Sequence, residues 1–329
     1  MFSIKSWGVS GIVSVVFLSV FFTANAFADL ATVNQIIVAA QIQVIYGEDD
    51  RKDLYQIKDK RLLKLADSTV ALFYERNLDI DHKAGIVNFS KEQYGPSNYL
   101  CKEEPFYDQP ASVSCSGALV GPDIVLTASH CVVDEDDCSK TKFIFGFAVK
   151  KKGRYPEKVL ISEMYGCKSI LAGNHEILEE TDADWALIQL DRKVSKHEPL
   201  KLTSLDEVNT DAGLVVIGYP MGLPVKVAGN AGVLRPMPGE DYFYANLDVY
   251  SNNSGSPVFN MSTLLIEGVL SGGKTDFVFK GDCKVSKVVP DDGKEVPGPD
   301  NKGDAKKPGE MVTKAKLAAQ ALAELNARQ

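Results

Sequence analysis

A serine in a run of small residues is the first group in this chain that could carry out covalent chemistry. Ser254 lies in the run from Ser251 to Pro257, which reads SNNSGSP. Glycine and small residues allow a tight turn and a close approach of a substrate carbonyl to the backbone. A serine hydroxyl is a weak nucleophile near neutral pH, so it needs an adjacent base and a third group that fixes the tautomer of that base. Without those partners the run is equally typical of an ordinary surface turn.

His130 is the histidine best placed to act as that base. It follows the apolar strand predicted at 124–127, in the sequence Ala128-Ser129-His130-Cys131. Small residues here put the ring where a strand ends in a turn, and Cys131 could tie that turn covalently. The other histidines lie in polar stretches that are typical of solvated surface loops: His82, His175 and His197.

Asp184 is the carboxylate expected to orient His130. It directly precedes the apolar run Trp185–Leu190, and a charge beside a buried strand is costly unless it has a partner. Asp182, two residues earlier, is the competing candidate. Taken alone, Asp184 would be interpreted as a residue that caps the start of a strand.

The elements that must position these side chains are predicted to be short β-strands separated by Gly, Pro, Asn and Asp. Many short strands favour a sandwich or barrels over a βαβ fold. A more polar stretch at 193–212 could link two β units. The predicted strands are Thr69–Tyr74, Val113–Val120, Ile124–Thr127, Lys142–Val149, Lys158–Met164, Trp185–Leu190, Leu214–Gly218, Phe243–Leu247, Gly255–Phe259 and Leu264–Leu270.

The C-terminal part differs from the rest of the chain. Residues 290–308 are rich in Pro, Gly, Asp and Lys, which indicates a solvated loop. Apolar residues then recur at steps of four and three, which predicts an α-helix over 310–328. We expect this helix to pack on the domain, with a partner-binding helix as the alternative. The apolar stripe consists of Met311, Ala315, Ala318, Leu322 and Leu325.

The N-terminus resembles an export signal over residues 1–28. Lys5 precedes an apolar block at Val9–Phe22, and Ala26-Phe27-Ala28 fits a cleavage site. The block is shorter than the roughly 20 residues of a membrane span. The uncharged stretch from Ser6 to Ala28 is longer, which leaves an uncleaved anchor as the alternative. We therefore expect an exported protein, periplasmic or extracellular, with no membrane contact after cleavage.

The net charge and the cysteines limit the partners and metal sites that this chain is expected to have. The formal net charge is −8, and loss of Lys5 with the signal makes it −9. An acidic chain argues against nucleic acid as a partner. Six cysteines in an exported chain predict disulfides, and the absence of CxxC pairs argues against a zinc site. These cysteines are Cys101, Cys115, Cys131, Cys138, Cys167 and Cys283.

The three motifs together resemble the trypsin/chymotrypsin family. They are TASHC around His130, DWAL at Asp184 and NSGSP around Ser254, in the order His, Asp, Ser and separated by 54 and 70 residues. The nearest likeness is the bacterial branch related to glutamyl endopeptidases and exported trypsin-like peptidases. The resemblance implies an all-β fold of two six-stranded antiparallel barrels, with the site in the cleft between them. We expect the protease domain over 45–329, with barrels at about 60–192 and 205–289.

The resemblance also implies roles for single residues. His130 would be the general base and then the general acid, Asp184 would orient it, and Ser254 would attack the carbonyl. The backbone N–H groups of Asn252 and Ser254 would form the oxyanion hole. A Cys115–Cys131 disulfide is implied as well, and the other four cysteines allow three pairings.

Two residues depart from the family pattern. Asn252 stands where glycine is usual, at a position whose backbone geometry is costly for most side chains. Loss of its N–H from the oxyanion hole would cost about 3–4 kcal/mol of transition-state stabilisation. Asn253 stands where animal trypsins carry an Asp that pairs with a newly cut N-terminus, so activation must work differently here. Residues 29–44 could be a propeptide or an ordered N-terminal arm.

Specificity is expected to depend on a second acid. Asp248 lies six residues before Ser254, a spacing that in trypsin-like enzymes puts an acid at the base of the primary specificity pocket. The run Ser271-Gly272-Gly273 resembles the pocket wall. A buried carboxylate there would favour Arg or Lys before the scissile bond. The alternative is that Asp248 is a structural residue that accepts hydrogen bonds in a loop.

The sequence therefore predicts an exported serine endopeptidase that acts on proteins or peptides through an acyl-enzyme. We expect no cofactor, no metal and a monomer. The alternative is a catalytically impaired pseudo-protease that binds peptides, for which Asn252 is the sequence reason.

Overall fold

The computed structural model describes residues 44–174, 183–273, 275–292 and 309–328. The predicted signal at 1–28, nearly all of the segment 29–44 and most of the loop at 290–308 lie outside the described residues. His175 and Asp182 also lie outside them.

The described residues form 21 β-strands and four α-helices, joined by short 3₁₀ turns. The strands are β1 Ile45–Tyr46, β2 Arg51–Asp53, β3 Thr69–Tyr74, β4 Asp79–Asp81, β5 Ile86–Asn88, β6 Cys115–Gly121, β7 Ile124–Thr127, β8 Thr141–Ile144, β9 Lys158–Leu160, β10 Met164–Gly173, β11 Ala186–Leu190, β12 Leu214–Gly218, β13 Lys226–Ala231, β14 Val233–Arg235, β15 Tyr242–Ala245, β16 Pro257–Asn260, β17 Ile266–Gly272, β18 Phe277–Lys280, β19 Cys283–Ser286, β20 Val288–Val289 and β21 Glu310–Lys314. The helices are α1 Lys60–Asp67, α2 Tyr94–Ser97, α3 Glu135–Lys140 and α4 Lys316–Ala327.

The first barrel is a closed sheet of six antiparallel strands. Their order is β10-β11-β7-β6-β3-β8, and β8 pairs with β10 to close the ring. Strands β3, β6 and β7 are apolar and almost entirely buried. Side chains such as Phe73, Phe143 and Leu126 fill the interior, as expected for a small barrel. Strands β3, β7 and β12 have the bounds predicted from sequence.

The second barrel closes through one bent strand. The sheet order is β14-β15-β21-β17-β16-β12-β13, with β2 added at the edge of β13. Its two ends, β13 and β14, are separated only by Gly232. The N–H of Gly232 donates to Asn246 Oδ1 at 2.6 Å, and the N–H of Asn246 returns a bond to Gly232 O at 3.2 Å. Counting β13 and β14 as one strand gives six strands, so the predicted fold of two antiparallel barrels is confirmed.

The sixth strand of this barrel corrects the predicted C-terminal helix. Residues Glu310–Lys314 form strand β21, and the helix begins only at Lys316. All five strand residues are buried between β15 and β17, which both pair with them. The apolar spacing from Met311 to Ala315 suggested a helix, but the open edges of two neighbouring strands required a partner, and tertiary pairing overrides local pattern. Barrel two therefore extends past the predicted limit of residue 289.

Two further segments are attached to the second barrel. The N-terminal arm, which we define as residues 44–53, pairs β1 in parallel with β20 and β2 with β13. The segment between β17 and β21 carries a two-stranded hairpin of β18 and β19, which we call the insertion hairpin. Three disulfides, Cys101–Cys283, Cys115–Cys131 and Cys138–Cys167, confirm that the cysteines pair and decide between the open pairings. Within the described ranges, no helix is long and apolar enough to cross a membrane.

Candidate active site

His130 stands at the exit of β7. The strand ends at Thr127, and a 3₁₀ turn over Ser129–Cys131 carries the ring. A disulfide from Cys131 to Cys115 at the start of β6 fixes this turn. The local sequence thus does what its small residues and cysteine predicted: it ends the strand and holds the imidazole at the barrel rim.

Asp184 is buried just before β11 and is fully occupied by hydrogen bonds. Its Oδ2 lies 2.5 Å from Nδ1 of His130. Its Oδ1 accepts the N–H of Ser129 at 2.6 Å and the hydroxyl of Ser129 at 2.7 Å. Its own N–H donates to Oγ1 of Thr313 on β21. These bonds are what makes a charge at a 5% exposed position tolerable.

His130 and Asp184 each stabilise the charged form of the other. Burial by itself raises the pKa of Asp184, but the charge of His130 and hydrogen bonds from His130 and Ser129 hold that pKa below its ordinary value. Burial likewise tends to lower the pKa of His130, and the charge of Asp184 with its hydrogen bond raises it above the ordinary value. Because Nδ1 faces the carboxylate, the neutral ring carries its proton there and its lone pair on Nε2. That Nε2 is buried and has no hydrogen-bond partner among the described residues.

Ser254 is brought to the neighbouring turn from the second barrel. Its carbonyl accepts the N–H of Ser116 at 2.8 Å, and the sulfur of Cys131 lies 3.7 Å from the same oxygen. Gly255 allows this approach: its φ is +83°, and an added Cβ would lie 2.1 Å from the carbonyl oxygen of Ser116. The turn before β16 therefore packs directly against strand β6 and against the turn that carries His130.

The backbone around Asn252 presents two unused N–H groups. The carbonyl of Ser251 accepts the N–H of Met221 at 2.5 Å. In a planar trans peptide the N–H points opposite to the C=O, so the N–H of Asn252 faces away from Met221. Among the described residues, neither this N–H nor that of Ser254 donates a hydrogen bond to another protein group. Two donors of this kind can stabilise an oxyanion.

Asn252 itself adopts the left-handed conformation that glycine would favour. Its φ is +68°, and its side-chain Nδ2 donates to the carbonyl of Val113 at 2.8 Å. Asparagine is among the residues least penalised in this region. Asn253, the second residue that departs from the family pattern, hydrogen-bonds only to nearby residues in the described structure. Its Oδ1 accepts the hydroxyl of Ser256 at 2.9 Å, and its N–H donates to Tyr250 O at 3.1 Å.

Asp248 holds the N-terminal arm. Its Oδ1 accepts the N–H of Tyr46 at 2.7 Å, and its Oδ2 accepts the N–H of Asp50 at 2.7 Å. Burial raises the pKa of Asp248 to about 7, against the effect of these two bonds. The hydroxyl of Tyr46 reaches a second buried acid, Glu310, at 3.2 Å. Asp248 therefore accepts structural hydrogen bonds, which is the role that the sequence analysis gave as the alternative to substrate binding.

The run Ser271-Gly272-Gly273 lies at the end of β17, next to β21. The hydroxyl of Ser271 donates to Met311 O at 3.3 Å and accepts from Thr313 Oγ1 at 3.1 Å. Because Thr313 also binds the N–H of Asp184, this run is linked to the His130–Asp184 pair.

Sequence reasoning missed several groups that shape the site. Ser129 could have been suspected as a polar residue beside His130. Thr313 was missed because residues 310–328 were predicted to form a helix. Met221 and Val113 act through their backbone, for which a side-chain pattern gives no signal. Cys115, His130 and Cys131 form the one cluster of potential metal ligands in the described ranges, and both sulfurs are used by the disulfide.

Comparisons with known proteins address the same part of the chain. Residues 115–266, which include His130, Asp184 and Ser254, match the family described as the trypsin-like peptidase domain. None of the curated proteins matches the chain. The chain is similar to the solved structure of a Glu endopeptidase in complex with MPD, with 14% identity and a TM-score of 0.48 over 86% of this chain and 100% of that one. It is also similar to the secreted serine protease VesC from Vibrio cholerae, with 16% identity and a TM-score of 0.47 over 78% of this chain and 45% of that one.

Proposed function

We propose that this chain, whose residues 115–266 match the trypsin-like peptidase domain, is a serine-type endopeptidase with His130, Asp184 and Ser254 as its catalytic residues. The observation that carries the proposal is the state of His130. Asp184 binds its Nδ1 at 2.5 Å, while the opposite nitrogen, Nε2, has no partner among the described residues and is buried. An imidazole held in this way can take a proton from a serine hydroxyl.

The proposed reaction proceeds through an acyl-enzyme. Ser254 Oγ attacks the carbonyl carbon of the scissile peptide bond as its proton passes to Nε2 of His130. The tetrahedral intermediate collapses when His130 gives this proton to the leaving amine. A water molecule then attacks the acyl carbon, again with His130 as base, and the carboxylic acid product leaves Ser254. Asp184 stabilises the imidazolium that forms in each half of the reaction.

We assign the oxyanion hole to the N–H groups of Asn252 and Ser254. Both are without protein acceptors in the described part of the chain. The bond from Met221 to the Ser251 carbonyl supports this assignment, because it keeps the first of them turned away from Met221 and from that bond. Each such donor contributes roughly 10²- to 10³-fold to kcat in enzymes of this type.

Hydrolysis of a peptide library by the purified protein tests this function. We expect turnover by the wild type and a loss on the order of 10⁵- to 10⁶-fold in Ser254→Ala. Ser262→Ala is the matched control, since Ser262 is exposed and follows strand β16. A wild type that binds peptides without cutting them, equally well with Ser254→Ala, would instead favour the pseudo-protease.

We further propose a preference for Arg or Lys before the scissile bond, with Asp248 as the acid that selects it. Each carboxylate oxygen has two lone pairs, and each Asp248 oxygen accepts one backbone N–H from the arm. A further donor on a basic side chain can therefore still be accepted, and the ionised form of the carboxyl group favours a cation. Asp248→Asn should abolish the preference for basic residues in the library. An unchanged preference would leave Asp248 with its structural role alone.

We also propose that the protein is exported, with cleavage after residue 28. Three disulfides among the described residues support this proposal, since disulfides persist in oxidising compartments. Mass spectrometry of the mature N-terminus would test it. A start at Asp29 is the expected result, a start near Val44 would indicate removal of a propeptide, and an intact Met1 would contradict cleavage.

A further inference from the structure

The insertion hairpin places a buried carboxylate against the turn that carries Ser254. Asp276, immediately before β18, is 8% exposed. Its Oδ2 accepts the hydroxyl of Ser251 at 2.6 Å, and both of its oxygens lie 3.3 Å from the N–H of Ser251. A side chain from a segment 25 residues away thus binds the residue that precedes Asn252.

Three different segments hold residues 251 and 252. Asp276 binds the N–H and hydroxyl of Ser251, the N–H of Met221 binds its carbonyl at 2.5 Å, and the carbonyl of Val113 binds Nδ2 of Asn252 at 2.8 Å. The peptide unit between Ser251 and Asn252 is therefore fixed at both ends. Its orientation decides where the N–H of Asn252 points.

The backbone at Asp276 is itself held by the hairpin and its neighbours. The carbonyl of Asp276 accepts the N–H of Lys287 across the hairpin at 2.8 Å. The ring of Phe277 packs on the ring of Tyr250 at 5.0 Å between centroids, and the hydroxyl of Tyr250 donates to Ser286 Oγ. Cys283 on β19 is bonded to Cys101. The hairpin therefore forms a braced support behind the turn.

We propose that Asp276 is a positioning residue for the oxyanion hole, which fixes the Ser251–Asn252 peptide so that the N–H of Asn252 faces the reacting carbonyl. This inference rests on the proposed function and extends it to a segment outside the barrel strands. The residue directly before Ser254 is the neutral Asn253, whose side chain binds only Ser256 in the described structure. Asp276 supplies from another part of the chain the carboxyl group that holds the turn.

The chemistry predicts which substitution should be tolerated. Burial raises the pKa of Asp276 to about 8, although its bonds to Ser251 oppose this rise. This shift favours the neutral carboxyl, whose C=O still accepts a hydrogen bond. Asparagine has the same shape and keeps that acceptor, whereas alanine has none.

The test compares Asp276→Ala with Asp276→Asn, and with Asp282→Ala as a matched control. Asp282 is an exposed acid in the turn of the same hairpin. We expect Asp276→Ala to lower kcat by about 10- to 100-fold with little change in KM, because the lost interaction matters in the transition state. Asp276→Asn should restore most of kcat, and Asp282→Ala should not change it. An Asp276→Ala protein with wild-type kcat would overturn the proposal.

Hydrogen–deuterium exchange of the peptide spanning residues 248–258 gives a readout that does not need activity. Asp276→Ala should speed exchange in this peptide and leave that of the first barrel unchanged, and unchanged exchange at 248–258 would overturn the positioning role. If the wild type shows no turnover, the proposed function fails, and the exchange result alone decides on Asp276. If Asp276→Ala does not fold, Ser251→Ala removes the hydroxyl donor from the other side and should show the same local increase.

Discussion

The imidazole of His130 can take a proton only in its neutral form. Burial by itself would lower its pKa, but Asp184 raises it above the ordinary value of 6.5. We therefore expect kcat/KM to rise with pH along a limb whose midpoint lies above 6.5. Asp184→Asn removes the charge, so the limb should move to lower pH and kcat should fall roughly 10⁴-fold.

Rate profiles against pH for the wild type and for two variants measure this effect. Asp182→Asn changes the competing acid of the same segment and should leave the profile as in the wild type. A limb that moves in Asp182→Asn and stays in Asp184→Asn would reverse the assignment of the orienting carboxylate.

Asn252 occupies the proposed oxyanion-hole position at which the trypsin-like pattern has glycine. At its φ of +68° glycine is unstrained, asparagine is tolerated, and a β-branched residue is a genuine outlier. Asn252→Gly should therefore keep kcat within a few-fold, while Asn252→Val should lower it by up to about 10²-fold as the N–H turns away. Steady-state kinetics decide, and a fully active Asn252→Val would show that this N–H does not bind the oxyanion.

At the scale of elements, His197 joins the link between the barrels to the first barrel. Its Nδ1 lies 2.9 Å from Asp67 and its Nε2 lies 2.9 Å from Glu163, while its ring stacks on Phe145 at 4.3 Å. Both nitrogens can donate only in the imidazolium. His197 was predicted from sequence to be a solvated surface histidine. Its neighbours in the chain give no sign that Asp67 and Glu163, from distant segments, bind its ring.

The His197 contacts predict a pH dependence of stability. Burial lowers the pKa of His197, but bonds to both acids raise it overall, so its contribution is present below about 6.5 and is lost as pH rises through the raised folded pKa. The pKa values of Asp67 and Glu163 are lowered, so their contributions are lost in acid. Urea unfolding of wild type and His197→Gln should therefore differ most between about pH 5 and 6.5. A difference that grows above that range would contradict the imidazolium bridge.

Elements were predicted best where the chain carries its own signal. Strands β3 and β7 are continuous apolar runs bounded by polar residues, and their ends were predicted correctly. Strand β21 was wrongly predicted as helix, since its apolar spacing fits both periods and only its neighbours β15 and β17 decide. The parallel pair of β1 with β20 joins residues more than 240 positions apart, which no local pattern encodes.

Across the whole molecule, the proposed catalytic residues could be predicted from sequence, whereas the residues that hold them in place could not. His130, Asp184 and Ser254 could be proposed from sequence because each lies in a distinctive motif, in an order that matches a known family. The contacts that hold them could not, because Thr313, Met221 and Asp276 reach the site from other parts of the fold. Asp248 was assigned to specificity by spacing, and its bonds to the arm emerged only from the structure.

The Cys101–Cys283 disulfide connects residues separated by 182 positions and braces the insertion hairpin. Closing so long a loop restricts the unfolded chain strongly, so replacing both cysteines by serine should lower the free energy of unfolding by about 5 kcal/mol. It should also lower kcat, because the hairpin supports the turn at Ser251. Replacing Cys138 and Cys167, which join α3 to β10, should cost stability with kcat retained. Equal kcat in both double variants would show that the insertion hairpin does not support the turn at Ser251.

Covalent labelling by a fluorophosphonate probe, mapped by mass spectrometry of the digested protein, shows directly whether Ser254 is the nucleophile. We expect one adduct, on the peptide that contains Ser254. That adduct should be lost in Ser254→Ala and form much more slowly in His130→Ala, because the hydroxyl is activated by the imidazole. A folded wild-type protein that acquires no adduct, or acquires it on another serine, would show that Ser254 is not the catalytic nucleophile.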